Sequence, residues 1–289
     1  MPTKETSQVL PKKVDLEYTV REGFNQIEPK TSIRRKDTSI GRTYYNPDDE
    51  DRKCIYSSTT ILNVLSKGIF FSSWLKAHGN DCDRLMNEAA TKGTIIHVCC
   101  SIIAGGEDLR TDTKLYDKGN TYEITEAIYH NILAFKKFYN EHRPVIKAIE
   151  LSLYSRDIPF AGTIDYVLVL NGKDGQPKLC IVDIKTGKEY PKSHELQLVS
   201  YKLLFDAIYG EEHGTIDEMY CLYLKDNGNY KLKKYRFHEQ EWLSTVHLFH
   251  YMNSNAYGKM PKIKEEFQMD EIITLKENEE DGQKNKALK

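Results

Sequence analysis

Two apolar runs separated by a short turn-forming segment constrain the fold of this chain more than any other feature of its sequence. Residues 164–170 and 179–184 are dense in β-branched and other apolar side chains, and residues 171–175 between them include an asparagine and two glycines. Runs of this length and composition are typical of β-strands, and the segment between them favours a turn. The sequence therefore predicts a β-hairpin.

Three charged side chains interrupt this apolar hairpin. Asp165 lies near the start of the first run, and Asp183 and Lys185 close the second, where a spacing of two places them on one face of a strand. A charge in an apolar strand is costly unless it is paired or bound to a cation. Two carboxylates can hold a hard cation such as Mg²⁺, and a neighbouring ammonium can orient a water molecule, so the pattern indicates a site. The alternative is a surface Asp–Lys pair beside an unrelated turn aspartate.

The motifs around the hairpin resemble the signature of the PD-(D/E)XK nuclease superfamily, in its RecB-type exonuclease branch. At the hairpin they are Gly162-Thr-Ile-Asp165, Val182-Asp183-Ile-Lys185-Thr-Gly187, and Gln197 with Tyr201 four residues later. Upstream, Gly93-Thr-Ile-Ile-His97 is similar to the histidine motif of that branch, and Ser57-Ser-Thr-Thr-Ile-Leu62 followed by Trp74 is similar to its first motif. In this order the motifs are similar to those of mitochondrial genome maintenance exonucleases and their phage relatives, over about residues 55–250. The acid before the lysine is Asp183 and not glutamate, a variant that the superfamily name allows.

The resemblance implies an α/β fold with a restriction-endonuclease-like core, in which helices flank a central mixed β-sheet. It implies a metal-dependent exonuclease that hydrolyses phosphodiester bonds of DNA. A weakly charged body that offers few phosphate contacts, with base stacking on groups such as Trp74, further favours single strands with a free end. His97, Asp165, Asp183 and the backbone carbonyl of Ile184 would hold Mg²⁺ or Mn²⁺. Lys185 would position and activate the attacking water, and Gln197 and Tyr201 would support Lys185 and the DNA backbone. Further candidates for substrate contact are Ser58, Thr59, Glu150 and Lys225.

Taken without the resemblance, several of these residues have a second interpretation. The hydroxyls at 57–60 can cap a helix, bind a phosphate at its N-terminus, or do both. Trp74 can belong to the core or stack on a base. His97 can be a core histidine, and Glu150 and Lys225 can simply face solvent.

The rest of the sequence predicts a polar N-terminal arm of loops over residues 1–52, a nuclease domain over 53–260 and an acidic, disordered tail over 261–289. Helices are expected over 81–104 with an interruption near Gly93, over 122–141, from a Ser193 cap to about Tyr209, and over 240–257. Strands are expected over 145–154 and twice within 216–237.

Composition limits the cofactors and partners. The 289 residues carry a formal charge of −2, and eight acids against four lysines in 265–289 leave the preceding chain near +2, without a strong overall nucleic-acid footprint. The six cysteines contain no Cys-x-x-Cys pair, and none lies beyond Cys221 to complete a late ligand group, so no iron–sulfur cluster is expected. With no signal-peptide core and no apolar run near the roughly 20 residues that span a bilayer, we expect an intracellular, cytoplasmic protein that binds DNA and no membrane. Protein partners cannot be read from the sequence.

Two rival functions remain at this stage. One is a structure-selective endonuclease of the same fold. The other is a non-catalytic nucleic-acid-binding protein on a decayed nuclease fold, against which the intact Asp165, Asp183 and Lys185 argue. A helical arch over residues 58–92 would favour threading of a free end and hence the exonuclease.

Overall fold

A five-stranded mixed β-sheet forms the centre of the molecule in a computed structural model that describes residues 13–16, 24–66, 68–117 and 119–253. The described strands are β1 (Lys13–Asp15), β2 (Arg34–Asp37), β3 (Arg42–Tyr45), β4 (Ile55–Tyr56), β5 (Lys114–Asp117), β6 (Asn120–Glu123), β7 (Val145–Leu153), β8 (Gly162–Asn171), β9 (Pro177–Lys185), β10 (Glu218–Leu224) and β11 (Tyr230–Tyr235). The described α-helices are α1 (Ser58–Ile61), α2 (Ile69–His78), α3 (Cys82–Ala104), α4 (Glu126–His142), α5 (Pro191–His213) and α6 (Glu239–Asn253). The predicted α/β class with a central mixed sheet is confirmed.

The central sheet has the order β11-β10-β9-β8-β7. Strands β8 and β9 are antiparallel and pair Tyr166 with Val182, as the hairpin prediction required. Their connection turns at Gly175, whose φ of 74° lies in the left-handed region that glycine adopts without strain. β9 and β10 are parallel, with α5 as the crossover between them, and the other neighbours in this sheet are antiparallel.

Alternation along β9 divides the core between the two faces of the sheet. Ile181 points into a cluster that contains residues of α5 and α6, whereas Val182 and Ile184 point into a cluster that contains residues of α3 and α4. Burying large apolar side chains such as Trp242 of α6 provides the main driving force for this packing. Asp183 and Lys185 have the parity of Ile181, so they project on the α5 side.

The segment expected to be an arm of loops contributes strands instead. β2 and β3 pair antiparallel, and β3 pairs with β4 in a separate three-stranded sheet. Ser57, just after β4, bridges to Ala161, just before β8, which ties this small sheet to the hairpin. Residues 25–27 run along the outer edge of β7, where the backbone N–H groups of Gln26 and Ile27 donate to the carbonyl of Lys147.

Two helix predictions are corrected by the structure. α3 is continuous through Gly93, because the buried face from Ile95 to Ala104 stabilises the helix by more than the roughly 1 kcal/mol that an internal glycine costs. α5 begins at Pro191 and not after a Ser193 cap, since proline already has the φ of the first helical position.

The start of α4 also differs from the prediction. α4 begins at Glu126 behind a Thr125 cap, because Tyr122 lies in β6. The predicted tail and the end of the last predicted helix lie outside the described residues. No helix in the described ranges is both long and apolar enough to cross a membrane.

Candidate active site

A cleft of about 980 Å³ lies between the α5 side of the central sheet, α3 and the β2–β3 strands. It brings together most of the residues predicted from the motifs. Those that line it are Ser58, Thr59, His97, Glu150, Asp165, Asp183, Ile184, Lys185, Gln197 and Tyr201. Lys225 is not among the lining residues.

One group in the cleft consists of a histidine and two carboxylates from three different elements. Nδ1 of His97 on α3 lies 3.5 Å from Oδ2 of Asp165 and 4.0 Å from Oε1 of Glu150. One ligand atom from each of the three side chains falls within 4.8 Å of the other two. Carboxylate oxygens suit Mg²⁺ and Mn²⁺, and imidazole is a common metal ligand in general, so the donor set fits a divalent cation.

Glu150 is directed into this group by an unusual backbone. Its φ is 53°, in the left-handed region that a non-glycine residue rarely adopts, although it lies in the middle of β7. The side-chain amide of Asn25 holds the preceding residue, Ile149, in place. Its Nδ2 donates to the carbonyl of Ile149 at 3.1 Å, and its Oδ1 accepts from the N–H of Ile149 at 2.9 Å. Strain of this kind often marks a functional position.

A second group forms a chain of polar contacts from the sheet to α5. Nζ of Lys185 lies 2.6 Å from Oδ2 of Asp183 and donates to Oε1 of Gln197 at 2.8 Å. Nε2 of Gln197 donates to the hydroxyl of Tyr201 at 2.8 Å. Gln197 and Tyr201 are one turn apart on α5, so they present adjacent side chains to β9. Asp183 and Lys185 are therefore not a surface pair, since their side chains are only 3% and 20% exposed.

The lack of a side chain at Gly162 leaves space for the Tyr201 ring. A Cβ atom added at Gly162 would lie 2.6 Å from Cε1 of Tyr201, closer than two carbon atoms can approach. The glycine of the Gly-x-x-Asp motif therefore lets the Tyr201 ring pack directly against the start of β8.

Burial and neighbouring charges together shift the pKa values of His97, Asp165 and Glu150. Burial would lower the pKa of His97, but Asp165 and then Glu150 outweigh it and raise that pKa to about 9. Burial also opposes the ionisation of Asp165, yet His97 and Lys185 outweigh it and lower its pKa. For Glu150, desolvation in the cleft and the charge of Asp165 raise the pKa, although 43% of its side chain is exposed. The acids therefore repel one another, and a cation held between them would relieve that repulsion.

Asp183 and Lys185 also have shifted pKa values, each through burial and the charge of the other. Burial raises the pKa of Asp183 to about 6, with Lys185 opposing the rise and Asp165 adding to it. Burial disfavours the ammonium of Lys185, but Asp183 and Asp165 outweigh it and raise its pKa. Lys185 is therefore protonated at neutral pH, and it can donate hydrogen bonds to a water molecule or a phosphate oxygen.

The hydroxyl motif at the start of α1 is mainly structural. Oγ of Ser57 caps the helix by accepting from the N–H of Thr60 at 3.0 Å. Ser58 is fully buried and its hydroxyl donates to the carbonyl of Ala161 at 3.1 Å. Thr59 is exposed at the cleft. Trp74, by contrast, is half-buried on α2 and stacks on His78 with ring centroids 4.7 Å apart.

Sequence reasoning missed His194 and Arg42, and it singled out Arg35 only as part of a basic run that could contact a phosphate or simply face solvent. His194, in the first turn of α5, lines the cleft, and its Nδ1 lies 2.8 Å from the hydroxyl of Tyr223. Arg35 and Arg42 of the β2–β3 hairpin form part of the opposite wall, near Asp37. The Arg34-Arg-Lys36 run was the signal for Arg35, whereas nothing local to Arg42 or His194 distinguishes them.

The cleft thus combines a lysine–aspartate pair on a mixed sheet with a neighbouring histidine–carboxylate group whose donors suit a divalent cation. The chain belongs to the PD-(D/E)XK nuclease superfamily, whose family model matches residues 67–274. The predicted family is thereby confirmed.

Solved structures with low sequence identity are also similar to this chain. Two are of the alkaline exonuclease LHK-Exo from Laribacter hongkongensis, one of them in complex with dAMP, and both are 11% identical to this chain. Each covers 68% of this chain and 87% of its own, with TM-scores of 0.32 and 0.34. The crystal structure of SSO0001 is 15% identical over 44% of this chain and 60% of its own, with a TM-score of 0.26. No curated protein sequence matches.

Proposed function

We propose that this protein is a metal-dependent DNA exonuclease that hydrolyses phosphodiester bonds and prefers single-stranded DNA with a free end. The observation that carries the proposal is the convergence, in one cleft, of the His97–Glu150–Asp165 group and the protonated Lys185. The superfamily supports nuclease activity, and the motif order of the RecB-type branch supports the exonuclease part.

In the proposed mechanism, each group has a distinct task. Mg²⁺ or Mn²⁺ held by His97, Asp165 and Asp183, with Glu150 and the Ile184 carbonyl as further donors, would polarise the scissile phosphate and stabilise the leaving oxygen. Lys185 orients the attacking water, because Asp183 and Gln197 fix its ammonium at the floor of the cleft. Such fixed charges act on the transition state without reorganising during the reaction.

DNA contacts are proposed for the rim of the same cleft. Thr59 is exposed there, with its hydroxyl 2.9 Å from that of Ser57, and Arg35 and Arg42 offer guanidinium groups that can bind phosphates. Ser58 is a weaker candidate than the sequence indicated, since its hydroxyl already donates to Ala161.

The decisive experiment compares end-labelled linear and closed circular single-stranded DNA of one sequence, with Mg²⁺ and with excess EDTA. We expect the linear strand to be degraded to short products only with Mg²⁺, while the circle survives. Asp183→Asn serves as the inactive control. Circles cut as fast as linear strands would replace the exonuclease by the endonuclease of the same fold, and DNA binding without any cleavage would favour the non-catalytic protein.

A further inference from the structure

Three lysines surround one glutamate just outside the cleft. Nζ of Lys231 donates to both carboxylate oxygens of Glu189, at 2.8 and 2.9 Å. Nζ of Lys225 and Nζ of Lys233 each lie 3.9 Å from the same carboxylate. One carboxylate cannot neutralise three ammonium groups, so the cluster keeps a surplus of positive charge, and between 31% and 49% of each lysine side chain is exposed.

The register of the central sheet aligns this cluster with the proposed catalytic lysine. Lys185 of β9 is opposite Tyr223 of β10, which is opposite Lys231 of β11. The neighbouring row places Asp183, Cys221 and Lys233 opposite one another in the same way. Residues directly opposite across adjacent strands project on the same face, and strands are about 4.8 Å apart. Lys231 and Lys233 therefore stand on the catalytic face, with their Cα atoms about 10 Å from those of Lys185 and Asp183.

Aromatic rings hold these lysines and connect them to the cleft. Nζ of Lys231 lies 6.0 Å from the ring centroid of Tyr223, and Nζ of Lys233 lies 4.8 Å from that of Tyr235. The two tyrosine hydroxyls are 2.7 Å apart, and that of Tyr223 also contacts His194, which lines the cleft. The basic cluster is thus continuous with the cleft wall.

The opposite face of β11 provides a contrast. Lys234, between Lys233 and Tyr235 in sequence, points to the other side of the sheet, where it pairs with Glu218. This second lysine–glutamate contact is one to one, so it carries no comparable surplus of charge.

We propose that Lys231 and Lys233 bind the phosphodiester backbone of the DNA strand where it passes from the catalytic cleft over the edge of the sheet, and that Glu189 occupies the phosphate position in the free protein. This inference rests on the proposed nuclease function. Lys225, predicted from the sequence to contact substrate, joins the same surface through Glu189.

Binding of a labelled single-stranded oligonucleotide, followed by fluorescence anisotropy in EDTA at several KCl concentrations, tests the proposal on the full chain. Lys231→Ala/Lys233→Ala should weaken binding roughly tenfold or more, and it should reduce the slope of log affinity against log salt by about 1.4, because each single-strand phosphate contact contributes about 0.7. Lys234→Ala is the matched control and should leave both quantities unchanged. Glu189→Gln should strengthen binding several-fold, because it removes the competing carboxylate.

A lysine variant indistinguishable from Lys234→Ala, or a wild-type protein that does not bind the strand, would overturn the proposal. Weakened or unchanged binding by Glu189→Gln would refute the role of Glu189 as a phosphate stand-in.

A second assay separates this inference from the proposed function. Hydrolysis of bis(p-nitrophenyl) phosphate with Mn²⁺ requires only the cleft, since that substrate is too small to reach the lysines. The lysine variant should retain this activity while it loses degradation of long strands. Lysine-dependent binding by a protein without any hydrolysis would refute the nuclease proposal and leave the binding surface standing.

Discussion

The ammonium of Lys185 contacts the carboxylate of Asp183 and the amide of Gln197, so its replacement should affect cleavage more than DNA binding. Lys185→Met keeps the aliphatic stem but removes the ammonium that contacts Asp183 and Gln197. If the ammonium acts on the transition state as proposed, cleavage should fall by roughly two orders of magnitude or more while DNA binding is retained. Single-turnover rates and Kd values measure the two effects separately. Lys173→Met, on the exposed hairpin turn, is the control. Weaker binding with an unchanged maximal rate would reduce Lys185 to a phosphate contact.

Replacing Glu150 provides a separate test of the proposed cation site. Glu150→Gln removes a carboxylate charge from the group around His97 and Asp165, so the affinity for Mn²⁺ should fall at least about tenfold. Titration calorimetry of the protein with MnCl₂ provides the measurement. Glu211→Gln, on the exposed end of α5, should bind as wild type does. Equal Mn²⁺ affinity of the Glu150 variant and wild type would exclude Glu150 as a ligand.

The difference between these two residues shows what sequence alone can predict. Asp183 and Lys185 are two residues apart on a strand whose apolar pattern is unmistakable, so their common face follows from local geometry. The orientation of Glu150 depends on a left-handed backbone and on the amide of Asn25, which is 124 residues away from Ile149. His194 and Arg42 are equally dependent on distant contacts. Such non-local arrangements leave no pattern in a single sequence.

At the scale of elements, the contact between β8 and α5 should be unusually sensitive to one methyl group. Gly162→Ala would force the buried Tyr201 ring away from β8, and the displacement would reach Lys185 through Gln197. Overpacking of this kind costs about 1–3 kcal/mol, so we expect a lower free energy of unfolding and strongly reduced cleavage. Urea unfolding and a DNA degradation assay measure the two.

Gly187 offers the matched control for that substitution. A Cβ atom at Gly187 meets nothing within 4 Å, so Gly187→Ala should unfold at the same urea concentration as wild type or slightly higher. Equal stability of both alanine variants would show that Tyr201 can move without cost, and the packing explanation of the glycine motif would be wrong.

His194, in the first turn of α5, makes the free energy of unfolding depend on pH. Burial, and then the charge of Lys185, lower the pKa of His194 from 6.5 to about 3. The unfolded chain therefore binds a proton that the folded chain excludes, and stability is lost as the pH falls below 6.5. Between pH 7 and pH 5 this loss amounts to about 2 kcal/mol.

His194→Asn tests that dependence, because asparagine does not titrate yet can still accept from Tyr223. The variant should be less stable than wild type at pH 7, and the difference between them should shrink by about 2 kcal/mol at pH 5. Urea unfolding at both pH values measures it, and the carboxylates cancel in the comparison. A constant difference would mean that the imidazole binds its proton equally well in the folded and the unfolded chain, so that burial does not lower its pKa.

Element boundaries show the same balance between local and distant causes. The β8–β9 hairpin followed from two apolar runs and the turn-forming segment between them, all of which are local features. The interruption expected in α3 did not occur, because packing of its buried second half outweighs the local preference of Gly93. β2 and β3 lay in a polar segment whose pairing depends on β4 and on the bridge to Ala161.

On the scale of the whole molecule, Cys54, Cys180 and Cys221, the three cysteines that would have to join in an iron–sulfur cluster, lie in three different environments. Cys180 and Cys221 lie in the two core clusters on opposite faces of the central sheet, and Cys54 is exposed. We therefore expect protein purified without oxygen to be colourless and free of iron, as measured by visible absorption and iron analysis. Stoichiometric iron and sulfide would require a rearrangement of the central sheet.

The two edge strands of the central sheet differ in what lies beside them, and this affects how readily molecules associate through the sheet. Residues 25–27 cover β7, whereas β11 is an outer strand that carries Lys231, Lys233 and Lys234. Charged lysines on an outer strand discourage the strands of other molecules from adding to it, which is a common route to aggregation. Neutralising these lysines would therefore also remove a barrier to edge-to-edge association of the sheet. Such variants should be handled at low concentration, with glutamate replacements preferred to alanine where the protein precipitates.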